Sequence, residues 1–141
     1  GWHYNAGKPE EGNRRSVYVH VKRSLQVPIL SNNDQADPDN SCPVRFTTTV
    51  PTQALGMLNG EFTNENAVAL AKRMKKDAST VADQVAAGIR WTTGRNPKAD
   101  EIQKDLAFIQ LLRTKHNLDE AAALEQYALM LLNANEFVYL D

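Results

Sequence analysis

The 141-residue chain lacks several features that would assign it to a class of protein at once. It has one cysteine, Cys42, so it cannot form an intrachain disulfide, and cysteine usage gives no indication of its compartment. No apolar run approaches the roughly 20 residues that span a bilayer. The formal net charge is −1 and the basic pairs are scattered, which excludes the charge distribution of a nucleic-acid-binding protein. We therefore expect neither membrane insertion nor nucleic acid as a partner.

The start of the chain also lacks expected signals. It begins Gly1-Trp2, with no methionine and no secretory signal sequence. We interpret this as a C-terminal fragment of a larger protein, so the missing signal says nothing about the location of the parent. The length and the hydrophobic content of 42% suit one soluble domain, residues 1–141, with a single core.

Composition changes near residue 51. Residues 1–51 hold five of the six prolines and show little helical periodicity, whereas the rest of the chain is rich in alanine and leucine. The pattern predicts a mainly α fold. We expect an antiparallel helical bundle of about five helices over residues 51–141, preceded by an irregular, proline-rich arm over residues 1–50 that packs on it.

The arm contains one short regular pattern. Val17, Val19 and Val21 alternate with polar or aromatic residues, which favours a half-buried strand. A short helix is the alternative, because Ser16 could cap it and Val17 would then share a face with Val21. Residues 15–23 are therefore predicted as a strand, with a helix left open.

The bundle helices are marked by caps and apolar stripes. Pro51 opens the first, with a stripe of Ala54, Leu55 and Leu58 that stops at Asn59-Gly60. The second predicted helix is capped by Thr63 and has Ala67, Leu70, Ala71 and Met74 on one face. The third runs from Ser79 or Thr80 to Gly94, and the fourth begins at Asn96-Pro97 and ends near His116. The fifth begins at Asp119 and continues to Phe137, Val138 and Tyr139.

The stretch from Asp37 to Arg45 has the highest density of chemically versatile side chains. Asp37, Asp39 and Ser41 have the one-three-five oxygen spacing of a calcium loop. Cys42 stands where such a loop needs glycine, and Thr48 where it needs a bidentate glutamate, which excludes an EF-hand. We predict no metal site. The simpler interpretation is that Asp37, Asp39 and Asn40 bond to nearby backbone amides.

Three arginines could add a ligand site to this loop. Arg14, Arg15 and Arg45 could clamp an anion, but internal pairing with Asp37 or Asp39 is the favoured interpretation, with Gln53 in the same network. The candidate ligand-binding residues are Asp37, Asp39, Asn40, Arg45, Arg14 and Arg15. We predict no catalytic residue, since all three histidines are distant in sequence from Cys42, which we expect to be a small buried side chain.

Two further groups have weaker functional interpretations. Trp2, Tyr4, Tyr18 and Trp91 could form a carbohydrate-stacking surface, although aromatic residues in a helical domain are more often core. Asn133, Asn135 and Glu136 are polar groups that a helix C-terminus explains equally well.

Five motifs occur in an order that resembles a known family. They are Arg14-Arg15-Ser16-Val17-Tyr18, the stretch from Asp37 to Arg45, the stretch from Thr49 to Leu55 with Leu58-Asn59, Gly94-Arg95-Asn96-Pro97, and the stretch from Leu131 to Phe137. Together they resemble the planctomycete-type C-terminal domain of unknown function, number fifteen fifty-three. Val50 and Phe46 are modest departures from that pattern.

The resemblance has implications for the parent protein. Domains of this kind close long exported proteins that often carry an upstream cytochrome-c-like domain, so an extracytoplasmic or periplasmic location is implied. The family has no established activity to carry over, and this segment has no heme-attachment spacing, so we expect no cofactor here. The favoured hypothesis is a noncatalytic structural or interaction module whose partners are other domains of the parent. The alternative is part of a ligand-binding or hydrolytic site, polysaccharide-related, that upstream domains complete.

Overall fold

A computed structural model of the chain describes residues 16–18, 28–37, 39–44 and 51–139. Within these ranges the regular structure is entirely helical, which confirms the predicted mainly α class. The chain divides into two compact units, Gly1–Gln53 and Ala54–Asp141. The packing of the arm on the bundle stays a prediction.

The described part of the first unit holds two short helical turns. Ser16–Tyr18 form a 3-10 turn, so the predicted strand is wrong at these residues, and residues 19–23 lie outside the described ranges. Pro28–Ser31 form helix α1, which the sequence did not indicate. Proline suits a first helical turn because its φ is preset and its missing N–H would have no helical partner. The backbone N–H groups of Asn33 and Gln35 both donate to the Leu30 carbonyl, at 3.1 Å, and end the turn.

The longer helices follow from residue 51. Five of them have nine residues or more, in agreement with the predicted number, and the last is a single turn. They are α2 (Pro51–Asn59), α3 (Glu61–Asp77), α4 (Val81–Thr93), α5 (Ala99–Lys115), α6 (Glu120–Leu132) and α7 (Asn135–Val138).

Several predicted helix ends are confirmed because they depend on local capping. The Thr80 hydroxyl accepts from the Asp83 backbone N–H at 3.1 Å and begins α4. The Asp119 carboxylate accepts from the Ala122 N–H at 2.7 Å and begins α6. Gly94 ends α4 with φ of 75°, a left-handed conformation that glycine adopts without a Cβ penalty.

Two predicted helix starts are wrong, that of α3 by three residues and that of α5 by two. The predicted cap Thr63 lies inside α3 and is buried, because the helix already begins at Glu61, after Gly60. Helix α5 begins after Lys98 rather than at Pro97. The reason is that the Glu101 side chain accepts from the Lys98 backbone N–H at 2.7 Å, which satisfies a donor at the end of the helix.

The core of the second unit lies between α3, α4, α5 and α6, and α3 packs most extensively against α6. Its largest fully buried side chains are Tyr127, Met74, Leu124 and Val85. Gly88 lets α4 come close to its neighbours, since a Cβ there would lie 2.9 Å from both Met74 Cε and Leu131 Cδ1. Of the predicted apolar face on α3, Ala67, Ala71 and Met74 are buried as expected, and Leu70 is partly buried.

The two ends of this unit differ from the prediction. Helix α2 has the expected length but buries none of its residues, and Leu55 and Leu58 are exposed. The last predicted helix is interrupted after Leu132 and resumes as α7, because Ala134 has the extended conformation of an N-cap. Phe137–Tyr139, expected on the apolar face, are exposed. No helix in the described ranges is both long and apolar enough to cross a membrane.

Candidate functional site

Asp37 organises the described part of the loop that runs from Asp37 to Val44. Its Oδ1 accepts from the Asp39 backbone N–H at 2.9 Å, and its Oδ2 accepts from Asn40 Nδ2 at 2.7 Å. The backbone bond first, and then the Asn40 bond, hold the pKa of Asp37 below its ordinary value, since both favour the ionised carboxylate. Asp37 therefore fixes the local path of the loop, as short polar side chains do in turns.

The other predicted site residues are only partly described. Asp39 contributes its backbone N–H to Asp37, and the side chains of Asp39 and Asn40 are exposed. Arg14, Arg15 and Arg45 lie outside the described residues. Whether they clamp a ligand or pair with Asp37 or Asp39 stays a prediction. Gln53, expected in the same network, donates from Nε2 to the Asn32 carbonyl at 2.8 Å.

A cavity of about 590 Å³ lies beside this loop. Asp37, Asn40 and Cys42 line it together with Gln35, whereas Asp39 is not part of its lining. Gln35 Oε1 is the one buried side-chain oxygen or nitrogen in the described residues without a hydrogen-bond partner. Gln35 thus lines the cavity and also carries an unpaired acceptor, which is itself buried.

Cys42 is exposed, so the predicted burial is wrong. Its Sγ donates to the Val44 carbonyl at 3.2 Å, and residues 39–44 are all exposed, so nothing in this stretch covers the thiol. No group of three or more His, Cys, Asp and Glu side chains in the described ranges is arranged to hold a metal. The described residues of this segment offer hydrogen-bonding groups and one accessible thiol.

The strongest polar network of the second unit was not predicted as a site. It is centred on Arg95, which follows the C-terminal glycine of α4. Arg95 donates to Glu136 Oε1 from Nε at 2.6 Å and to Glu136 Oε2 from Nη2 at 2.9 Å. It also donates to Glu101 Oε2 from Nη1 at 2.9 Å and to Glu101 Oε1 from Nη2 at 2.8 Å. One guanidinium thus forms two bidentate pairs, the geometry for which arginine is suited.

This network connects three elements. Glu101 lies in the first turn of α5 and also accepts from the Lys98 backbone N–H, while Glu136 lies in α7. The bonds to Arg95, followed by the bond from Lys98, lower the pKa of Glu101 to about 2. The bond from Arg95 also lowers the pKa of Glu136, and the two carboxylates raise that of Arg95. All three groups are therefore charged at neutral pH.

The arrangement around Arg95 is suited to holding elements together. Both edges of the guanidinium are occupied by carboxylates, and no described nucleophile lies in the network. A sequence signal was present, because Gly94–Pro97 and Leu131–Phe137 are two of the family-like motifs. Their pairing could not be read from the sequence, since nothing in either motif specifies the other as its partner.

A second polar contact lies in the core beside this network. The Tyr127 hydroxyl donates to Asp105 Oδ2 at 2.7 Å, and the Tyr127 side chain is fully buried. Burial first, and then the Asp105 bond, raise the pKa of Tyr127, so the phenol stays protonated. This contact ties α6 to α5 through a satisfied buried hydroxyl.

The aromatic residues do not assemble into a described stacking surface. Trp91 is half-buried, and the Arg73 guanidinium lies 4.3 Å from the centroid of its ring, which occupies one ring face. Tyr18 is exposed in the first unit, and Trp2 and Tyr4 lie outside the described residues. The carbohydrate hypothesis therefore stays a prediction.

An unexpected feature is a set of exposed apolar side chains on either side of the bend between α2 and α3. We call Leu55, Leu58 and Phe62 the corner surface; these side chains are 55%, 46% and 52% exposed. Leu55 and Leu58 are three residues apart in α2 and so share one helix face. The apolar stripe that the sequence predicted therefore exists, but the described fold leaves it uncovered.

The bend between α2 and α3 has a defined geometry. The Gly60 N–H donates to the Gly56 carbonyl at 2.9 Å, and Asn64 Nδ2 donates to the carbonyls of Gly60 at 2.9 Å and Leu58 at 3.3 Å. A Cβ at Gly60 would collide with the Gly56 carbonyl oxygen, so only glycine fits there. The corner surface is thus held by hydrogen bonds on both sides of the bend.

In the described residues, these features define a helical fold in which polar networks connect the elements of the second unit. A family model described as "Protein of unknown function (DUF1553)", PSD1, matches residues 2–109. The chain belongs to this family, and the resemblance predicted from the sequence is confirmed. Four of the five motifs lie within the matched residues, and Leu131–Phe137 lies beyond them. No curated protein and no solved structure matches the chain.

Proposed function

We propose that this chain is a noncatalytic interaction module of a longer, extracytoplasmic protein, and that the corner surface docks on another domain of that protein. The observation that carries the proposal is the exposure of all three corner side chains. Contiguous exposed apolar side chains are typical of an interaction site, and Leu55 and Leu58 share one face of α2.

The energetics favour docking. Burying a large apolar side chain contributes about 1.5–3 kcal/mol, so covering the exposed halves of three such side chains contributes roughly 2–4 kcal/mol. The hydrogen bonds of Gly60 and Asn64 hold the bend in place before any partner arrives. A preorganised surface loses less conformational entropy on association, so more of this contribution is retained as affinity.

The polar networks agree with a role that requires a rigid body. Arg95 connects α7 and the first turn of α5 to the end of α4, and Tyr127 joins α6 to α5. Neither network presents an activated nucleophile or an acid–base pair with an open substrate position. We expect no cofactor for this role.

Hydrogen–deuterium exchange tests the proposal. Amides of α2 and the first turn of α3 are compared between the 141-residue chain and the full-length parent protein. We expect slower exchange in the parent, and Leu58→Ser in the parent should return exchange to the rate of the isolated chain. The matched control is Leu111→Ser on α5, because Leu111 is also 46% exposed. Equal exchange in the two proteins would contradict docking through the corner surface.

A second candidate function is ligand binding in the cavity beside the Asp37 loop, which Gln35 and Asn40 line. The unpaired Gln35 Oε1 favours it, since rotation of that amide would present an acceptor to a ligand that carries O–H or N–H donors. A titration with glucose and with N-acetylglucosamine, followed through the side-chain amide signals of Asn40 and Gln35 by NMR, tests this function. Unchanged signals at saturating sugar would argue against polysaccharide recognition by this cavity.

A further inference from the structure

We propose that the corner surface takes a basic amphipathic helix, in which lysines or arginines border an apolar stripe. This inference rests on the proposed function and adds the chemistry of the partner. It follows from the charges around Leu55, Leu58 and Phe62 and from the secondary structure that presents them.

Along the chain, the charged residues nearest the corner surface have one sign. Residues 51–71 contain two acidic residues, Glu61 and Glu65, and no lysine, arginine or histidine. Glu61 and Glu65 flank Phe62, both are exposed, and neither forms an ion pair with another described residue. The next basic residue along α3 is Lys72, which a helical rise places about 15 Å from Phe62. That distance exceeds the Debye length of about 8 Å at physiological ionic strength.

A helix suits the apolar part of the surface. Leu55 and Leu58 form a ridge along α2, and such ridges pack into the groove between side chains of a second helix. Phe62, on the far side of the fixed bend, would contact the same partner near its end. A helix carrying lysines beside its apolar stripe would place some of them near Glu61 and Glu65, which favours a basic partner over an acidic one.

The test uses two synthetic amphipathic peptides with identical leucine positions, one with lysine and one with glutamate at every polar position. Each is titrated into the 141-residue chain, and binding is followed by fluorescence anisotropy and by NMR signals of the Leu55 and Leu58 methyls and the Phe62 ring. We expect the leucine–lysine peptide to bind at least tenfold more tightly than the leucine–glutamate peptide. At about 1 M salt, where the Debye length is about 3 Å, this difference should largely disappear.

Variants locate the binding. Leu58→Ser should weaken binding of the leucine–lysine peptide at least tenfold, and Leu111→Ser, at equal exposure, should leave it unchanged. The double variant Glu61→Gln with Glu65→Gln should weaken it about threefold, since exposed ion pairs contribute little each. Circular dichroism melts of every variant confirm that the bundle is folded, because none of these side chains is in the core.

Several results would overturn the inference. The first is no binding of the leucine–lysine peptide, or equal affinity for the two peptides. The second is an equal loss of affinity for the leucine–lysine peptide in Leu58→Ser and Leu111→Ser. The third is a dimer in sedimentation equilibrium that Leu58→Ser dissociates, which would make a second copy of the chain the occupant. If any of these occurs while α2 is protected in the parent protein, the interaction role stands and only the basic helix is rejected. If α2 is not protected in the parent, the interaction role itself is rejected.

Discussion

Arg95 and Glu136 lie 41 residues apart and are joined by two parallel hydrogen bonds of 2.6 and 2.9 Å. The same guanidinium holds Glu101 in a second bidentate pair. One side chain in the turn between α4 and α5 thereby anchors α7, a single helical turn that buries none of its own residues. These bonds therefore connect α7 to the turn between α4 and α5, beside the contacts of its about half-exposed apolar side chains.

Replacing Arg95 by lysine should loosen α7. Lysine keeps the positive charge but cannot form two bidentate pairs, so we expect the Tm to fall by a few degrees and amide exchange in α7 to accelerate. Arg90→Lys is the matched control, since Arg90 is exposed on the last turn of α4 and forms no ion pair in the described residues. Equal Tm values for the two variants would show that the network does not anchor α7.

The network also predicts a pH dependence of stability. The pKa of Glu101 is lowered from 4.5 to about 2 in the folded chain, so this group stabilises the fold above about pH 4.5. That contribution is lost as the pH falls from about 4.5 through about 2, because protonation then occurs in the folded state too. The lowered pKa of Glu136 acts in the same direction.

Thermal melts of the wild type and Glu101→Gln between pH 7 and pH 2 measure this effect. The Tm of the variant should be lower than that of the wild type at neutral pH. Plotted against pH, the two sets of Tm values should converge toward pH 2. Differencing the curves removes the contribution of other carboxylates, such as Asp37. A constant difference across the whole range would mean that Glu101 stabilises the fold by something other than its charge.

Gly88→Ala should destabilise the bundle. The new Cβ would lie 2.9 Å from Met74 Cε and from Leu131 Cδ1, so buried side chains must move. Overpacking costs about 1–3 kcal/mol, and the higher helix propensity of alanine returns about 1 kcal/mol of that, which leaves a loss of up to about 2 kcal/mol. Urea denaturation measures it.

Gly56→Ala is the control for that substitution. A Cβ at Gly56 meets no atom within 4 Å, so the same chemical change in α2 should leave stability unchanged or raise it by up to about 1 kcal/mol. A loss in Gly56→Ala equal to that in Gly88→Ala would show that close packing at Gly88 is not the cause.

Tyr127→Phe should cost about 1–2 kcal/mol in the free energy of unfolding. The ring still fills its buried position, but Asp105 loses the hydroxyl that donates to it at 2.7 Å. Tyr139→Phe, at a tyrosine that is 56% exposed, should change stability by less than about 0.5 kcal/mol. Equal effects of the two substitutions in chemical denaturation would contradict a role for the Asp105 bond.

Much of the helical architecture could be predicted because its signals are local. Thr80 and Asp119 cap the helices that follow them, and Gly94 ends α4, since each acts on backbone groups within a few residues. The start of α5 was missed by two residues because Glu101, rather than Asn96, satisfies the first free N–H. Even that error concerned only which nearby side chain, Asn96 or Glu101, caps the start of α5.

The exposure of side chains at the candidate sites was harder to predict from the sequence. Asp37 was correctly expected to bond within its own loop, whereas Cys42 was wrongly expected to be buried. Burial depends on what other segments cover, and no local pattern reports that. The apolar stripe of α2 shows the same limit. Its periodicity correctly predicted that Leu55 and Leu58 share a helix face, but the expected burial of that face is wrong.

The sequence by itself determined that this is a helical member of its family, where several of its helices begin or end, and that Asp37 organises its own loop. These outcomes depend on contacts between residues a few positions apart, which any chain with these side chains would make. Only the tertiary structure decided that Arg95 holds Glu136 and that Leu55, Leu58 and Phe62 stay uncovered. Such outcomes depend on which distant surfaces meet, and that choice is made by the packing of the whole bundle.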